Sequence, residues 1–402
     1  MSSKKLKYYC YTAFANIILQ FSTGAIIQSF LSSKGLDNGQ IGIFTLLISV
    51  MQVVTLFLST FFSDRIINIP KTIAKFILPS LIFFSAMVYI STSKSMDVNT
   101  IFIISILVTC ILNFFYGLRV VLEYKLPYYI IDISEYALLS NTSGIILSIL
   151  GFAVTGLFLF FSTKFDYSNV ITISFIISAG FAICASLIVF SFGNETNPTP
   201  NDGKKETNLF YKELFKMREV HVLSVPNFIR GIATGIMGMA AVVMLSSVTN
   251  DASLSSGLSA ASSVGYIISC FIYTRIYKKF KTLLFTLFGA SVEFIALLFI
   301  LSNGSNVKIF VIFYIIAYIG QVFVDVSIPV YITEIIPYKY MGGFTSIRML
   351  LFTAGTATGN YIAGVMSASH PKSLMILCGC AQLIAGIWYY IFSCNDKNYQ
   401  KR

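Results

Sequence analysis

Apolar stretches of about 20 residues recur along the whole chain, and each can cross a hydrocarbon core roughly 30 Å thick as an α-helix. The stretches are continuously apolar and lack the two-residue alternation of a membrane β-strand, which favours helices over a barrel. Twelve can be delimited, at about 8–31, 40–63, 72–92, 99–122, 137–161, 168–192, 221–247, 254–277, 281–302, 306–330, 342–366 and 372–394. The pattern predicts an all-α, polytopic membrane protein with twelve transmembrane helices, here called spans 1 to 12.

The composition excludes a soluble globular protein. Of the 402 residues, 56% are hydrophobic and only 11% are charged, and the mean hydropathy is +0.79, which leaves too little polar surface for solubility. The first apolar stretch follows Lys4, Lys5 and Lys7. It is longer than the apolar region of a signal peptide and has no small-residue cleavage site, so we expect it to be retained as span 1.

Lysine and arginine are distributed unevenly between the two sides of the predicted membrane. Of the 28 Lys and Arg residues, 22 lie in the termini, connections or adjoining span ends of one side, five lie on the other side, and Arg230 lies inside span 7. Cytoplasmic loops retain positive charge, so both termini are predicted to be cytoplasmic. The same bias accounts for the net charge of +11 without nucleic acid as a partner. Richness in Ile, Lys, Asn, Phe and Tyr suggests an AT-rich bacterial genome and hence a cytoplasmic membrane.

Residues that carry enzymatic or metal chemistry are sparse. The sequence has only two histidines, His221 and His370, and seven cysteines without a CxxC pair, which argues against a metal cluster or a histidine-based catalytic triad. Gly203 before Lys204 lacks the upstream glycine of a phosphate loop. We therefore expect no metal, no cofactor and no enzymatic activity.

A polar connection separates six spans from six. The segment 193–219 contains GNETNPTPNDGKKETN, which is typical of a flexible linker. It divides the chain into an N-terminal six-helix bundle, 1–192, the linker itself, and a C-terminal six-helix bundle, 220–402.

The two halves share short matches at an offset of 210 or 211 residues, which indicates a parallel structural repeat. The matching pairs are Asn16 with Asn227, Thr23-Gly24 with Thr234-Gly235, Arg65 with Arg275, Glu123 with Glu334, and Pro127-Tyr128 with Pro337-Tyr338.

With six plus six spans, a polar central connection and this repeat, the chain resembles the major facilitator superfamily of transporters over essentially its whole length. The loop signature of that family after span 2, GxxxDRxGR, is kept only in part, as Asp64 and Arg65 without the two glycines. The resemblance implies that Asp64 and Arg65 latch the cytoplasmic helix ends and gate the switch between states. It also implies that spans 1, 2, 4, 5, 7, 8, 10 and 11 surround a central path, and we expect a functional monomer.

Polar residues on these spans recur at steps of three and four, as expected for helix faces that line a path. The predicted substrate-binding residues are Asn16, Gln20, Tyr116, Asn227, Arg230, Tyr318, Gln321 and Asn360. The alternative for the Ser, Thr and Gly positions is helix packing, because Gly231 and Gly235, and Gly355 and Gly359, have GxxxG spacing.

Charged residues inside apolar spans are the sharpest candidates, because each costs at least about 2.5–3.5 kcal/mol at mid-bilayer unless it is paired or hydrated. Arg230 is expected about nine residues into span 7, roughly 14 Å from its cytoplasmic end, either in the substrate site or in a structural ion pair. Asp325 and Glu293 are candidates for carrying a coupling proton. Arg119 and Glu123, spaced i and i+4, are predicted to form a gating or structural pair.

These observations favour a secondary active transporter that works by alternating access and moves a small polar or anionic solute together with protons. Three arginines, Arg119, Arg230 and Arg348, could hold a carboxylate or phosphate. The alternative is a proton-driven exporter of amphipathic compounds, although span 5 lacks the proline of the exporters' glycine–proline signature. An intramembrane enzyme is disfavoured because no span contains a histidine in its core, and a sensor or lipid flippase stays open. The expected partners are a small solute, H⁺ and the lipid bilayer.

Overall fold

A computed structural model describes residues 3–23, 25–63, 66, 68–93, 95–129, 135–192, 213–249, 254–276, 284–303, 306–336, 338–366 and 370–395. Within these residues the regular structure is helical, without a strand, and the helices form twelve spans. Eight of the helices are long and apolar enough to cross a membrane, and two further apolar helices, Ile43–Ser59 and Ala260–Ile276, are shorter by the same criteria. The predicted all-α, twelve-helix architecture is confirmed.

The first six spans have the following limits. Span 1 comprises helices Ser3–Ser22 and Ala25–Ser33, span 2 is Asn38–Phe62, span 3 comprises Ile69–Ile77 and Pro79–Thr92, span 4 is Val98–Glu123, span 5 is Tyr136–Lys164, and span 6 is Tyr167–Phe190. A 3-10 helix, Leu126–Tyr129, follows span 4. Span 3 is divided at Pro79 because proline has no N–H to donate to the carbonyl four residues earlier.

The remaining spans begin close to their predicted positions. Span 7 is Arg218–Thr249, span 8 is Leu254–Ile276, span 9 is Leu284–Asn303, span 10 is Val307–Ile335, span 11 is Tyr338–Met366, and span 12 is Pro371–Asn395. Span 7 starts three residues before its predicted first residue, since Val220 and Leu223 are already buried there. Of the predicted linker 193–219, only 213–219 is described, and residues 213–216 within it are helical.

Side-chain caps fix the starts of five spans. Asp37 accepts the backbone N–H of Gln40 at 2.7 Å, and the Gln40 side chain accepts the N–H of Asp37 at 3.1 Å, which completes a capping box. Four further side chains accept backbone N–H groups at the starts of spans 3, 4, 6 and 10, namely Asn68, Asp97, Asp166 and Asn306. These caps supply partners for N–H groups that the first helical turn leaves unsatisfied, so each span begins at a defined residue.

The chain divides into two compact units. Unit 1 is Met1–Ile133 with Ile149–Gly203, and unit 2 is Ser134–Ser148 with Lys204–Arg402. The segment Ser134–Ser148, the first part of span 5, therefore groups by its contacts with unit 2, whereas the sequence-based boundary places it in the N-terminal bundle. That boundary stays a prediction.

Each unit has its own apolar core. The core of unit 1 is rich in phenylalanine and includes Phe30, Phe83, Phe84 and Phe175. In unit 2, one apolar cluster includes Met237, Met244 and Met375, and a second cluster contains aromatic side chains such as Phe285 and Phe323. Many large apolar side chains outside these cores are exposed. Such extensive apolar exposure is unusual for a soluble monomer and is what a lipid-facing surface requires.

Spans 7 and 11 make the closest helix contact in unit 2. A Cβ atom added at Gly231 would overlap the carbonyl oxygen of Phe352, and one added at Gly355 would overlap that of Phe228. The two glycine pairs with GxxxG spacing therefore face each other with their backbones in contact, which confirms the packing interpretation for these glycines.

Candidate functional site

Arg230 lies twelve residues after the first residue of span 7, about 18 Å along the helix at 1.5 Å per residue. It is deeper than predicted because span 7 begins earlier. Its side chain is only 2% exposed, and Nη2 donates to Oδ1 of Asp325 in a salt bridge. Nη1 donates to Oδ1 of Asn227 at 3.4 Å, and the guanidinium lies 5.9 Å from the ring centre of Phe352. The guanidinium is thus held by neighbours on spans 7, 10 and 11.

Asp325, the partner of Arg230, belongs to span 10, and its side chain is more exposed than that of Arg230. The Asp325 side chain is 40% exposed, compared with 2% for Arg230. Pro329 follows four residues later inside the same helix, and because proline has no N–H, the backbone carbonyl of Asp325 cannot receive the usual helical hydrogen bond. The pair therefore combines a buried cation with an accessible anion, and the anion lies where one backbone hydrogen bond of the helix is missing.

The predicted polar face of span 10 continues toward its beginning. Nε2 of the buried Gln321 donates to Oγ1 of Thr234 on span 7 at 3.3 Å. The Tyr318 and Tyr314 rings lie with their centres 6.3 Å apart. Span 10 thus presents two tyrosines, an amide and a carboxylate in sequence, of which Gln321 and Asp325 connect to span 7.

Asn227 and Asn360 have different surroundings. Asn227 is buried, and its Nδ2 donates to the carbonyl oxygen of Leu223 at 2.8 Å, so both ends of its amide are occupied. Asn360 follows Gly359, where span 11 lies against span 7, and its side chain is partly exposed. Of the predicted substrate residues in unit 2, the structure brings Asn227 and Arg230 together with Asp325.

Glu293 is the most deeply buried acidic side chain among those described. It lies on span 9 with 1% exposure, next to the point where Gly289 and Gly320 let spans 9 and 10 touch. The sequence placed Glu293 on a peripheral helix without a reason for burying a carboxyl group. Close packing of span 9 on spans 10 and 12 supplies that reason, because it turns Glu293 toward the interior of unit 2.

A second charged cluster lies in unit 1. Arg119 and Glu123 of span 4 form the predicted i, i+4 ion pair, with Nε and Oε1 3.1 Å apart. The hydroxyl of Tyr11, on span 1, donates to Oε1 of the same carboxylate. The Arg119 guanidinium lies 5.0 Å from the ring centre of Tyr116. The pair therefore links span 1 to span 4, and its gating role stays a prediction.

Next to this cluster is a narrow cavity with room for about one water molecule. Its polar lining includes Ser22, Thr23, Asn113, Tyr116 and Arg119. Tyr116, a predicted substrate residue, therefore faces a cavity rather than packed side chains only.

The other two predicted residues of unit 1 lie on span 1. Asn16 and Gln20 are one helical turn apart and partly exposed, and Oε1 of Gln20 is buried without a hydrogen-bond partner among the described residues. The predicted gating residues Asp64 and Arg65 lie outside the described part of the chain.

Several polar contacts were not anticipated from the sequence. Nε2 of Gln52 donates to Oδ1 of the buried Asn113 at 3.0 Å and joins spans 2 and 4. Gln382 lies beside Glu293 on span 12. An amide side chain is uncommon among the apolar residues of such a span, so the sequence could have indicated that Gln382 has a polar neighbour. Tyr11 carried no comparable signal, because tyrosine is common at the ends of spans.

Across the described residues, no group of three or more His, Cys, Asp or Glu side chains could hold a metal ion.

Twelve helical spans with charged clusters buried among them define a multi-pass membrane protein of the transporter class. The family model described as Major Facilitator Superfamily matches residues 9–359, most of the chain. The chain therefore belongs to the major facilitator superfamily and is a membrane transporter. No curated protein matches the sequence.

Two solved structures share the fold at low sequence identity. The Escherichia coli fucose:proton symporter is 10% identical with a TM-score of 0.73, and the match covers 97% of each chain. A bacterial homologue of the iron transporter ferroportin, in an outward-facing state with soaked iron, is 11% identical with a TM-score of 0.66. That match covers 98% of this chain and all of the other. At these identities the similarity establishes the fold alone.

Proposed function

We propose that this transporter moves a small polar or anionic solute across the cytoplasmic membrane by alternating access, coupled to proton movement. The observation that carries the proposal is the pair of a buried Arg230 and an accessible Asp325 on two different spans. A charged residue this far inside a span carries a large free-energy cost unless it is paired or hydrated. Here the partner, Asp325, is itself 40% exposed, so the ion pair is not fully enclosed by protein.

The chemistry of the pair suits a competition between a solute and Asp325. A guanidinium offers several donors in a fixed fork and binds carboxylates and phosphates well. Protonation of Asp325 would remove the anion that now occupies Arg230, and an anionic solute could take its place. Binding of the solute would then depend on a proton, which is the minimum requirement for coupling.

The shared fold of a fucose:proton symporter is consistent with this assignment. In the proposal, Asn227 positions Arg230, while Gln321, Tyr318 and Asn360 contribute hydrogen bonds and a ring surface to the solute. Asn16, Gln20 and Tyr116 would do the same in unit 1. Arg119 and Glu123, with Asp64 and Arg65, would serve in gating, and the protein would act as a monomer with both termini in the cytoplasm.

Thermal melting of the purified protein tests this proposal without knowledge of the transport direction. A ligand that binds only the folded state stabilises it by RT ln(1 + [L]/Kd), so sugars, nucleosides, organic acids, peptides and lipophilic cations can be compared directly. We expect a melting shift with a polar anion that Arg230→Ala abolishes and that Arg275→Ala, which removes an exposed arginine, retains.

The possible results separate the candidate functions. A polar anion whose shift persists in Arg230→Ala would remove Arg230 from the site. Stabilisation by lipophilic cations alone would contradict the proposal and favour the exporter of amphipathic compounds.

A further inference from the structure

One exposed face of span 3 changes from basic to apolar along the helix. Lys71 and Lys75 lie one helical turn apart near its start. Leu78 and Ile82 follow at further steps of three and four residues, and the backbone of Leu78 keeps helical angles, so the four side chains share one face. Leu78 is 45% exposed and Ile82 is 54% exposed, and Lys75 is also exposed. The apolar part of this face begins about 10 Å from Lys71 and reaches Ile82 at about 16 Å.

The last part of span 6 packs beside this face. Oγ of Ser186 donates to the backbone carbonyl oxygen of Ala74 at 3.0 Å. Nζ of Lys71 lies 5.9 Å from the ring centre of Phe190, within the range of a cation–π contact. Leu187 and Phe190 are 63% and 51% exposed. The basic end of the span 3 face therefore meets a second exposed apolar face, which belongs to span 6.

The charge of this surface is positive. Spans 3 and 6 together contain two lysines and no acidic residue. Lys71 lies in the first turn of its helix, where the helix dipole already places partial positive charge, so a lysine at this position does not stabilise the helix. An anion beside it would interact favourably with the lysines and with the helix start. A lysine side chain can also lay its methylene groups on apolar surface while its ammonium group stays at the membrane–water interface.

We propose that spans 3 and 6 form a binding site for one anionic phospholipid, with its phosphate group beside the two lysines and an acyl chain along the exposed apolar side chains of both spans. A soluble anion would use only the basic end of the surface and would leave the apolar part uncovered. The combination of the two parts is what selects a lipid. The site lies within unit 1 and does not depend on the proposed solute or on its coupling to protons.

Native mass spectrometry of the purified protein tests the site, with phosphatidylglycerol as the probe and phosphatidylcholine of the same acyl chains as the neutral comparison. We expect the first phosphatidylglycerol to bind the wild type more tightly than the first phosphatidylcholine. A lysine near an anionic lipid surface strengthens binding about 5-fold, so Lys71→Gln/Lys75→Gln should weaken the first phosphatidylglycerol about 30-fold. Lys164→Gln/Lys216→Gln removes the same charge from two exposed lysines in different units and should keep the wild-type preference.

Three results would overturn the site. The first is a wild type without a preference for phosphatidylglycerol, and the second is an equal loss in the two double variants, which would indicate general attraction to a basic protein. The third is displacement of the bound lipid by glycerol phosphate, which has the anionic group without the chains and would show that the surface takes a free phosphate.

The single variant Lys75→Gln keeps the test decisive if the double variant melts below the wild type in phosphatidylcholine. It changes one exposed side chain and should weaken the first phosphatidylglycerol about 5-fold, and unchanged binding would contradict the proposal. Because no transported solute takes part, these results are separate from the test of the proposed function.

Discussion

At the scale of single residues, the contact between Tyr11 and Glu123 permits a direct measurement of a buried polar network. Tyr11 and Arg119 meet the same oxygen of Glu123, and Arg119 is 4% exposed. Tyr11→Phe removes a hydrogen bond to a charged group and should cost about 1.5–3 kcal/mol of unfolding free energy. Glu123→Gln leaves a buried arginine without its anion and should cost about 3–5 kcal/mol.

A double-mutant cycle measured by denaturant unfolding in micelles checks this expectation. The double variant should lose less than the sum of the two single losses, because residues in one network are not additive. Tyr89→Phe, which alters a tyrosine exposed on span 3, is the control and should be close to neutral. Additive losses would show that the two contacts are independent.

The sequence identified the charged members of both clusters more reliably than their neutral partners. Arg230, Asp325, Arg119 and Glu123 stand out because a charge in an apolar span is costly. Only the i, i+4 pair on span 4 could be assigned a partner, since that spacing places both side chains on one helix face. The salt bridge of Arg230 with Asp325 joins positions 95 apart, and no helical period relates residues on different spans.

At the scale of helices, Gly231 and Gly238 on span 7 offer a matched pair of substitutions. Alanine at Gly231 would place its methyl group against the backbone carbonyl of Phe352, whereas the space at Gly238 is open. Backbone cannot move aside as a flexible side chain does, so Gly231→Ala should cost about 1–3 kcal/mol. Gly238→Ala should be neutral or stabilise by up to about 1 kcal/mol, because alanine favours a helix.

Melting temperatures of the two variants, compared with the wild type in the same detergent, test the prediction. Equal melting temperatures for both variants would mean that spans 7 and 11 are not in backbone contact in the folded protein.

The existence of the spans followed from hydropathy, but their ends required structural information. Spans 4 and 6 begin one residue before their predicted starts, since Asp97 and Asp166 cap them and an aspartate before an apolar run is a recognisable start signal. Span 5 extends three residues past its predicted end, to Lys164. Hydropathy alone set the predicted limit and underestimated the helix, although the lysine in the last turn is a recognisable end signal.

At the scale of the whole molecule, hydropathy and the linker anticipated two halves but not the assignment of span 5. The first part of that span, Ser134–Ser148, groups with unit 2, and within unit 2 a Cβ atom added at Gly144 would meet the ring of Tyr266. Position along the chain cannot reveal such a grouping, because it depends on contacts between segments more than 100 residues apart.

The orientation of the molecule in the membrane is its most global predicted property, and it can be tested with single cysteines in a background without the native ones. Ser95→Cys, between spans 3 and 4, and His370→Cys, between spans 11 and 12, lie in connections poor in Lys and Arg. Both should react with a membrane-impermeant thiol reagent in intact cells. Lys216→Cys, before span 7, should react only after the cells are lysed.

The expected pattern follows from charge, because translocating a basic connection is unfavourable. An odd number of crossings separates Lys216 from His370, so the two positions must label oppositely if the spans from 7 to 11 all cross the membrane. Equal labelling of these two positions would therefore contradict the twelve-span topology itself. Opposite labelling with the sides exchanged would retain the topology and place both termini outside.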